Sequence, residues 1–147
     1  MPGDPIDDPT PSTAGTVWTI VVAAGSGSRF GGTKQFADLG SRRVLDHAVE
    51  VAAARSDGVV VVAPAVTIAG GPGGAAMSTD DVSMSTDAVP TSVASIVVGG
   101  ATRSESVRRG LAAVPPDVEV VVVHDAARPL ARVDLFDATV EGVRAGA

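Results

Sequence analysis

Val17-Trp18-Thr19-Ile20-Val21-Val22-Ala23-Ala24-Gly25-Ser26-Gly27-Ser28-Arg29-Phe30-Gly31-Gly32-Thr33-Lys34 is the stretch that decides the fold. Residues 17–24 are apolar and rich in β-branched side chains, without the polar alternation of a half-wet strand. Such a run reads as a short strand buried on both faces. It empties into a glycine-rich loop over 25–32.

Working outward, residues 42–55 read as a helix. Val44, Leu45, Ala48, Val49 and Ala52 recur at three- and four-residue steps and form one apolar face. Gly58 ends it and 59–63 is a second buried strand. Residues 64–92 show no clear period and are expected to be mostly loop. A third strand, 93–98, stops at Gly99-Gly100. Thr102 followed by Glu105 is a capping-box pattern, which opens a helix through Val114 with Val107, Leu111 and Val114 as its buried stripe. After Pro115-Pro116 comes the most apolar strand, 118–123, with His124-Asp125 at its end. A last helix, 134–144, carries Phe136, Val140 and Val143 on one face. Residues 1–15, rich in Pro, Asp, Gly and Thr, are expected to be a disordered tail, which leaves 16–147 as one domain. Continuous apolar strands alternating with helices imply an α/β fold, a mostly parallel doubly wound sheet with helices on both faces.

Composition narrows the class. The 147 residues carry a net charge of −6, 45% hydrophobic residues and only 3% aromatics. The chain has no basic footprint for nucleic acid. It has no cysteine and two histidines, so disulfides and thiolate metal sites are excluded. No run approaches the ~20 apolar residues needed to span a bilayer, and without a charged start followed by an apolar run no signal peptide is expected. A soluble cytoplasmic protein is the expectation.

In doubly wound sheets ligands sit beyond the C-terminal ends of the strands. Three segments there hold four of the eleven cations: the first loop (Arg29, Lys34), Gly99 to Ser106 (Arg103) and His124 to Pro129 (Arg128). Glycines let backbone N–H groups approach phosphate oxygens. Lys34 is the sole lysine against ten arginines. The plainer alternative for this loop is a solvent turn with incidental charges. Asp125 suits a Mg²⁺ ligand, since that ion takes one or two carboxylates plus phosphate oxygens; a salt bridge to Arg128 or a helix cap is the alternative. Arg103 and Ser106 lie in the first turn of a helix, where free N–H groups suit ligand oxygens; simple capping, with Arg103 in solvent, is the alternative. Two better-known loops fail by one residue each. Phe30 stands where the dinucleotide fingerprint needs its third glycine, and Thr33 where the P-loop needs lysine.

Taken together, Ala23-Ala24-Gly25-x-Gly27-x-Arg29, Thr33-Lys34-Gln35, Gly99-Gly100-x-x-Arg103-x-x-Ser106-Val107 and His124-Asp125-Ala126-Ala127-Arg128-Pro129 resemble the 2-C-methyl-D-erythritol 4-phosphate cytidylyltransferase family from about Val17 onward. The resemblance implies a nucleotidyltransferase-type sheet, incomplete at the C-terminus here. It implies transfer of CMP from CTP to 2-C-methyl-D-erythritol 4-phosphate with release of pyrophosphate, in non-mevalonate isoprenoid synthesis. Arg29 and Lys34 would stabilise the transition state. Ala23, Ala24, Gly25, Ser26 and Gly27 would hold the triphosphate and help recognise cytosine, and Gly100, Arg103 and Ser106 would complete the nucleotide pocket. Asp125 would bind Mg²⁺ and Arg128 would contact the acceptor phosphate. A full-length protein would be a homodimer. Val22 departs from the proline common in the family before the Ala-Ala pair, 64–92 matches poorly, and family chains run further. Rival readings are a ribitol 5-phosphate cytidylyltransferase, a nucleotide-binding fragment without activity, and a dinucleotide-binding oxidoreductase domain.

Overall fold

The computed structural model describes residues 16–25, 34–64 and 93–146. The expected tail at 1–15 and all but the first residue of the expected loop at 64–92 lie outside them. Strand β1 (Val17–Val22) is followed by a one-turn 3-10 helix (Lys34–Phe36), a two-residue hairpin of β2 (Asp38–Leu39) and β3 (Arg42–Arg43), and helix α1 (Val44–Ala53). Then come β4 (Gly58–Ala63), β5 (Val93–Val98), α2 (Arg103–Ala112), β6 (Val120–Asp125) and α3 (Val133–Arg144).

The four long strands form one parallel sheet in the order β5-β4-β1-β6. Thr19 of β1 faces Val59 on one side and Val122 on the other, so β1 is hydrogen-bonded along both edges. Odd-numbered residues of β1 and β4 (Val21, Val59, Val61) pack with Leu45, Ala48, Val49 and Ala52 of α1 and Phe136 of α3. Helix α2 lies on the other face, against β1, β4 and β5. Helices therefore cover both faces, as the alternating pattern implies.

Two boundaries move. Arg42 and Arg43 pair back onto β2 rather than opening α1. The helix starts two residues later than expected, at Val44, where Asp46 reaches back to accept the Arg43 N–H at 3.0 Å and its guanidinium at 2.9 Å. The fourth sheet strand is shifted by two residues, to 120–125 from the expected 118–123, because Val120 to Asp125 stay in register with Val17 to Val22. It is also not the most buried strand: every residue of β4 is buried, whereas Val123 of β6 is 40% exposed. Among the described residues β4 has a strand on each side and β6 is an edge.

Helix α2 corrects the expected stripe. Its buried residues are Ser106 and Gly110, while Leu111 is 48% exposed. The reason is close approach. A Cβ on Gly110 would sit 2.6 Å from Ile20 Cγ2 and 2.9 Å from Val62 Cγ2. The helix seats against the sheet through its small residues, and its leucine turns outward. In α3, Phe136 and Val140 are buried as expected, but Val143 is 49% exposed.

Gly110→Leu should lower stability by roughly 1–3 kcal/mol, the usual cost of overpacking. Leu111→Gln should change it by no more than about 0.5 kcal/mol, as surface substitutions do. Urea unfolding of the two variants checks the assignment, and the reverse ranking would mean that α2 packs through the apolar stripe.

Candidate functional site

The chain leaves β1 toward β4 by way of α1, and later returns from β5 to β6 on the far side of β1 by way of α2. Strand order reverses at β1, and such a reversal opens a crevice beyond the strand ends. A cavity of about 670 Å³ lies there. Its walls are Val22, Ala23, Ala24 and Gly25 after β1, Gly100 to Arg103 with Ser106 after β5, and Asp125, Ala127 and Arg128 at the end of β6; Gln35 closes the remaining side. The volume falls within the ordinary range for small-molecule sites.

The segment between β5 and α2 is built by its own hydrogen bonds. The Glu105 N–H donates to Thr102 Oγ1 at 3.1 Å, and the Ala101 N–H donates to Glu105 Oε2 at 2.9 Å. This is the capping box expected from the sequence, displaced by one residue on its return arm. The Ala101 N–H, and then the Arg109 guanidinium, hold the Glu105 carboxyl below the ordinary carboxylate range. Ser106 is buried. Its hydroxyl donates to the Thr102 carbonyl at 3.0 Å and accepts from the Gly100 N–H at 3.0 Å. Its proton is committed to the scaffold, so toward a ligand the hydroxyl can only accept. A Cβ on Gly99 would collide with the Ala24 Cβ, which is why the two loops can meet only if glycine stands there.

Asp125 and Arg103 join across the crevice. Arg103 donates through Nη2 at 2.9 Å and Nε at 3.2 Å to Asp125 Oδ1. Arg128 stands further off, with Nε 3.9 Å from Oδ2, and its side chain is 78% exposed. Asp125 thus has a cationic partner, but chiefly Arg103, not the Arg128 pairing weighed from the sequence. Arg103 is not loose in solvent. An ion pair this open contributes about 1 kcal/mol at most to stability.

Of the residues singled out from the sequence, Ala23, Ala24, Gly25, Gly100, Arg103, Ser106, Asp125 and Arg128 line this one cavity. Ser26, Gly27 and Arg29 lie outside the described residues, and so does the side chain of Lys34, whose backbone opens the 3-10 turn. Gln35 carried no assigned role in the sequence. It is buried, and its carboxamide donates to the carbonyls of Ala23 at 2.7 Å and Gly25 at 2.8 Å. The signal for it in the sequence was its place in the Thr33-Lys34-Gln35 motif.

His124 points to the opposite face of the sheet from α2, its ring 5.2 Å from that of Phe136. It is 7% exposed, and its Nε2 has no hydrogen-bond partner among the described residues. Burial pushes its pKa below the ordinary histidine value, against the opposing pull of Asp125.

A family model described as 2-C-methyl-D-erythritol 4-phosphate cytidylyltransferase matches residues 17–147. The enzyme of that name from Streptomyces avermitilis is 44% identical over 96% of this chain and 55% of its own length. That from Streptomyces coelicolor is 45% identical over 87% of this chain and 46% of its own. The crystal structure of 4-diphosphocytidyl-2C-methyl-D-erythritol synthase from Anaerococcus prevotii superposes with a TM-score of 0.66 at 25% identity, covering 88% of this chain and 52% of that one. The chain spans about half the length of the curated relatives it matches.

The buried histidine gives the strand end a pH signature. Its folded pKa lies below its unfolded value of about 6.5. The unfolded chain therefore takes up the proton first, and stability is lost as pH falls through that window. His124→Gln should flatten the fall in melting temperature between about pH 7 and pH 5. An unchanged profile would mean that another group governs it.

Proposed function

The chain belongs to the 2-C-methyl-D-erythritol 4-phosphate cytidylyltransferase family, and on that premise we propose that it forms the CTP-binding part of an enzyme that transfers CMP to 2-C-methyl-D-erythritol 4-phosphate. The observation that carries this reading is the convergence of the loops after β1, β5 and β6 on one cavity at the reversal of strand order.

In the proposed reaction a phosphate oxygen of the acceptor attacks the α-phosphorus of CTP in line. The new P–O bond forms as the bond to the bridging oxygen breaks, and pyrophosphate leaves with its electron pair. No protein nucleophile is required, because positioning and charge stabilisation supply the catalysis. Arg29 and Lys34 are assigned to the charge that builds on the phosphorus oxygens. Ala23 to Gly27 are assigned to the triphosphate and the base, and Gly100, Arg103 and Ser106 to the rest of the nucleotide. The remaining acceptor capacity of Ser106 suits an exocyclic amino group such as that of cytosine. Exposed Arg128 is assigned to the acceptor phosphate, which a guanidinium can take bidentately.

Asp125 is assigned to a divalent cation, Mg²⁺ in this proposal. The fit rests on a carboxylate that faces the cavity with Oδ2 only loosely approached by Arg128. Among the described residues no cluster of three metal-ligating side chains exists, and Mg²⁺ does not require one when phosphate oxygens complete its shell. When bound there, the ion would neutralise charge on the phosphates. Arg103 would then share or release Oδ1. We further assign the reaction to the cytoplasm, where CTP is held; among the described residues no helix is long and apolar enough to cross a membrane. Dimerisation of a full-length chain is part of the same proposal.

Arg29→Ala and Lys34→Ala should each lower turnover by roughly 10²-fold or more, the scale of losing one oxyanion donor. Pyrophosphate release with 2-C-methyl-D-erythritol 4-phosphate, against ribitol 5-phosphate as control, measures it. Preference for ribitol 5-phosphate would reassign the acceptor, and full turnover in both variants would remove the two cations from the mechanism.

A further inference from the structure

Gln35, the middle residue of the 3-10 turn, is buried against the segment that follows β1, with its Ala23 partner twelve residues earlier in the chain. Its single amide nitrogen lies 2.7 Å from the Ala23 carbonyl and 2.8 Å from the Gly25 carbonyl. Both neighbours accept only, so the atom between them must be the donor; the orientation of the carboxamide is fixed by chemistry. An NH₂ group has two hydrogens, one for each carbonyl, and carries no charge. Lysine could supply as many donors but would bring a buried charge, and glutamate would supply none. The same side chain lines the cavity beside Ala23, Ala24 and Gly25.

Carbonyl oxygens are the negative ends of peptide dipoles, and two of them facing a polyphosphate would repel it. Tied back to Gln35, they are neutralised. A trans peptide also sets its N–H opposite its carbonyl, so the Ala24 N–H is directed away from Gln35. The residue just before Gln35 is Lys34, the sole lysine of the chain.

Resting on the nucleotide-site reading above, we propose that Gln35 is a positioning residue of that site. Its carboxamide masks the Ala23 and Gly25 carbonyls, and it fixes the wall they form to the turn that carries Lys34. Two of the wall's acceptors are thereby paired and no longer free to face a polyphosphate. The role concerns the phosphate tail, not the base.

The test compares CTP and CMP binding by calorimetry, with Mg²⁺, in the whole chain and in two variants held well below their melting temperatures. Gln35→Met keeps the length of the side chain and removes both donors. It should weaken CTP by about tenfold, the scale of one or two lost hydrogen bonds, and leave CMP near wild type. Gln35→Glu adds a readout that packing alone would not give. Protonated, its carboxyl can still donate to one carbonyl; ionised, it repels both. Its CTP affinity relative to wild type should therefore fall as pH rises from about 5 to about 8, while the ratio for Gln35→Met stays level. Folded variants that bind CTP as wild type does, or that lose CTP and CMP alike, would overturn the proposal. A wild-type chain that binds neither nucleotide would overturn the nucleotide reading and this inference with it.

Discussion

The rest of the structure depends on β1 being paired in parallel on both of its edges. A strand with β4 on one side and β6 on the other has no free backbone edge, and its side chains are covered from both faces. The chain that leaves it can go only outward, past its C-terminal end. Because one neighbour is reached through α1 and the other through α2, the exit segments diverge there. The crevice follows from connectivity before any side chain is chosen. What the side chains add is the lining: small residues after β1, a self-bonded helix start after β5, and at β6 a carboxylate flanked by Arg103 of α2 and Arg128.

That lining combines stiff and open parts. Gly99, Ser106, Thr102 and Glu105 bond to or press on one another, so the segment before α2 is set before a ligand arrives. Gln35 does the same for the wall after β1. Arg103, Asp125 and Arg128, by contrast, are partly exposed and joined by weak ion pairs, which leaves them able to exchange partners, as the proposed binding of phosphates and a cation requires. Rigid backbone for shape and exchangeable charge for chemistry is an arrangement suited to phosphoryl transfer, where the protein positions and neutralises rather than reacts.

Much of this was legible in the sequence, for identifiable reasons. The strands were visible because a parallel sheet buries both faces and so selects unbroken β-branched runs. The start of α2 was visible because a capping box is local chemistry. Residues at the strand ends could be named because the fold class says where ligands go. One miss is local, the hairpin that draws Arg42 and Arg43 out of α1; the others are long-range. The small-residue face of α2 is dictated by Ile20 and Val62, which no helical period reveals. The two-residue shift of β6 comes from its register with β1. The Arg103–Asp125 pair spans 22 positions, and the Gln35 strut spans 12; neither has a spacing that a linear scan would pick out.

The central claim is that the crevice beside β1 recognises a cytidine nucleotide. Calorimetric titration of this chain with CTP in the presence of Mg²⁺, set against GTP and NAD and repeated on Asp125→Asn, tests it most directly. The account predicts selective CTP uptake that weakens in the variant. Equal uptake of GTP, tighter uptake of NAD, or CTP binding indifferent to Asp125 would contradict it.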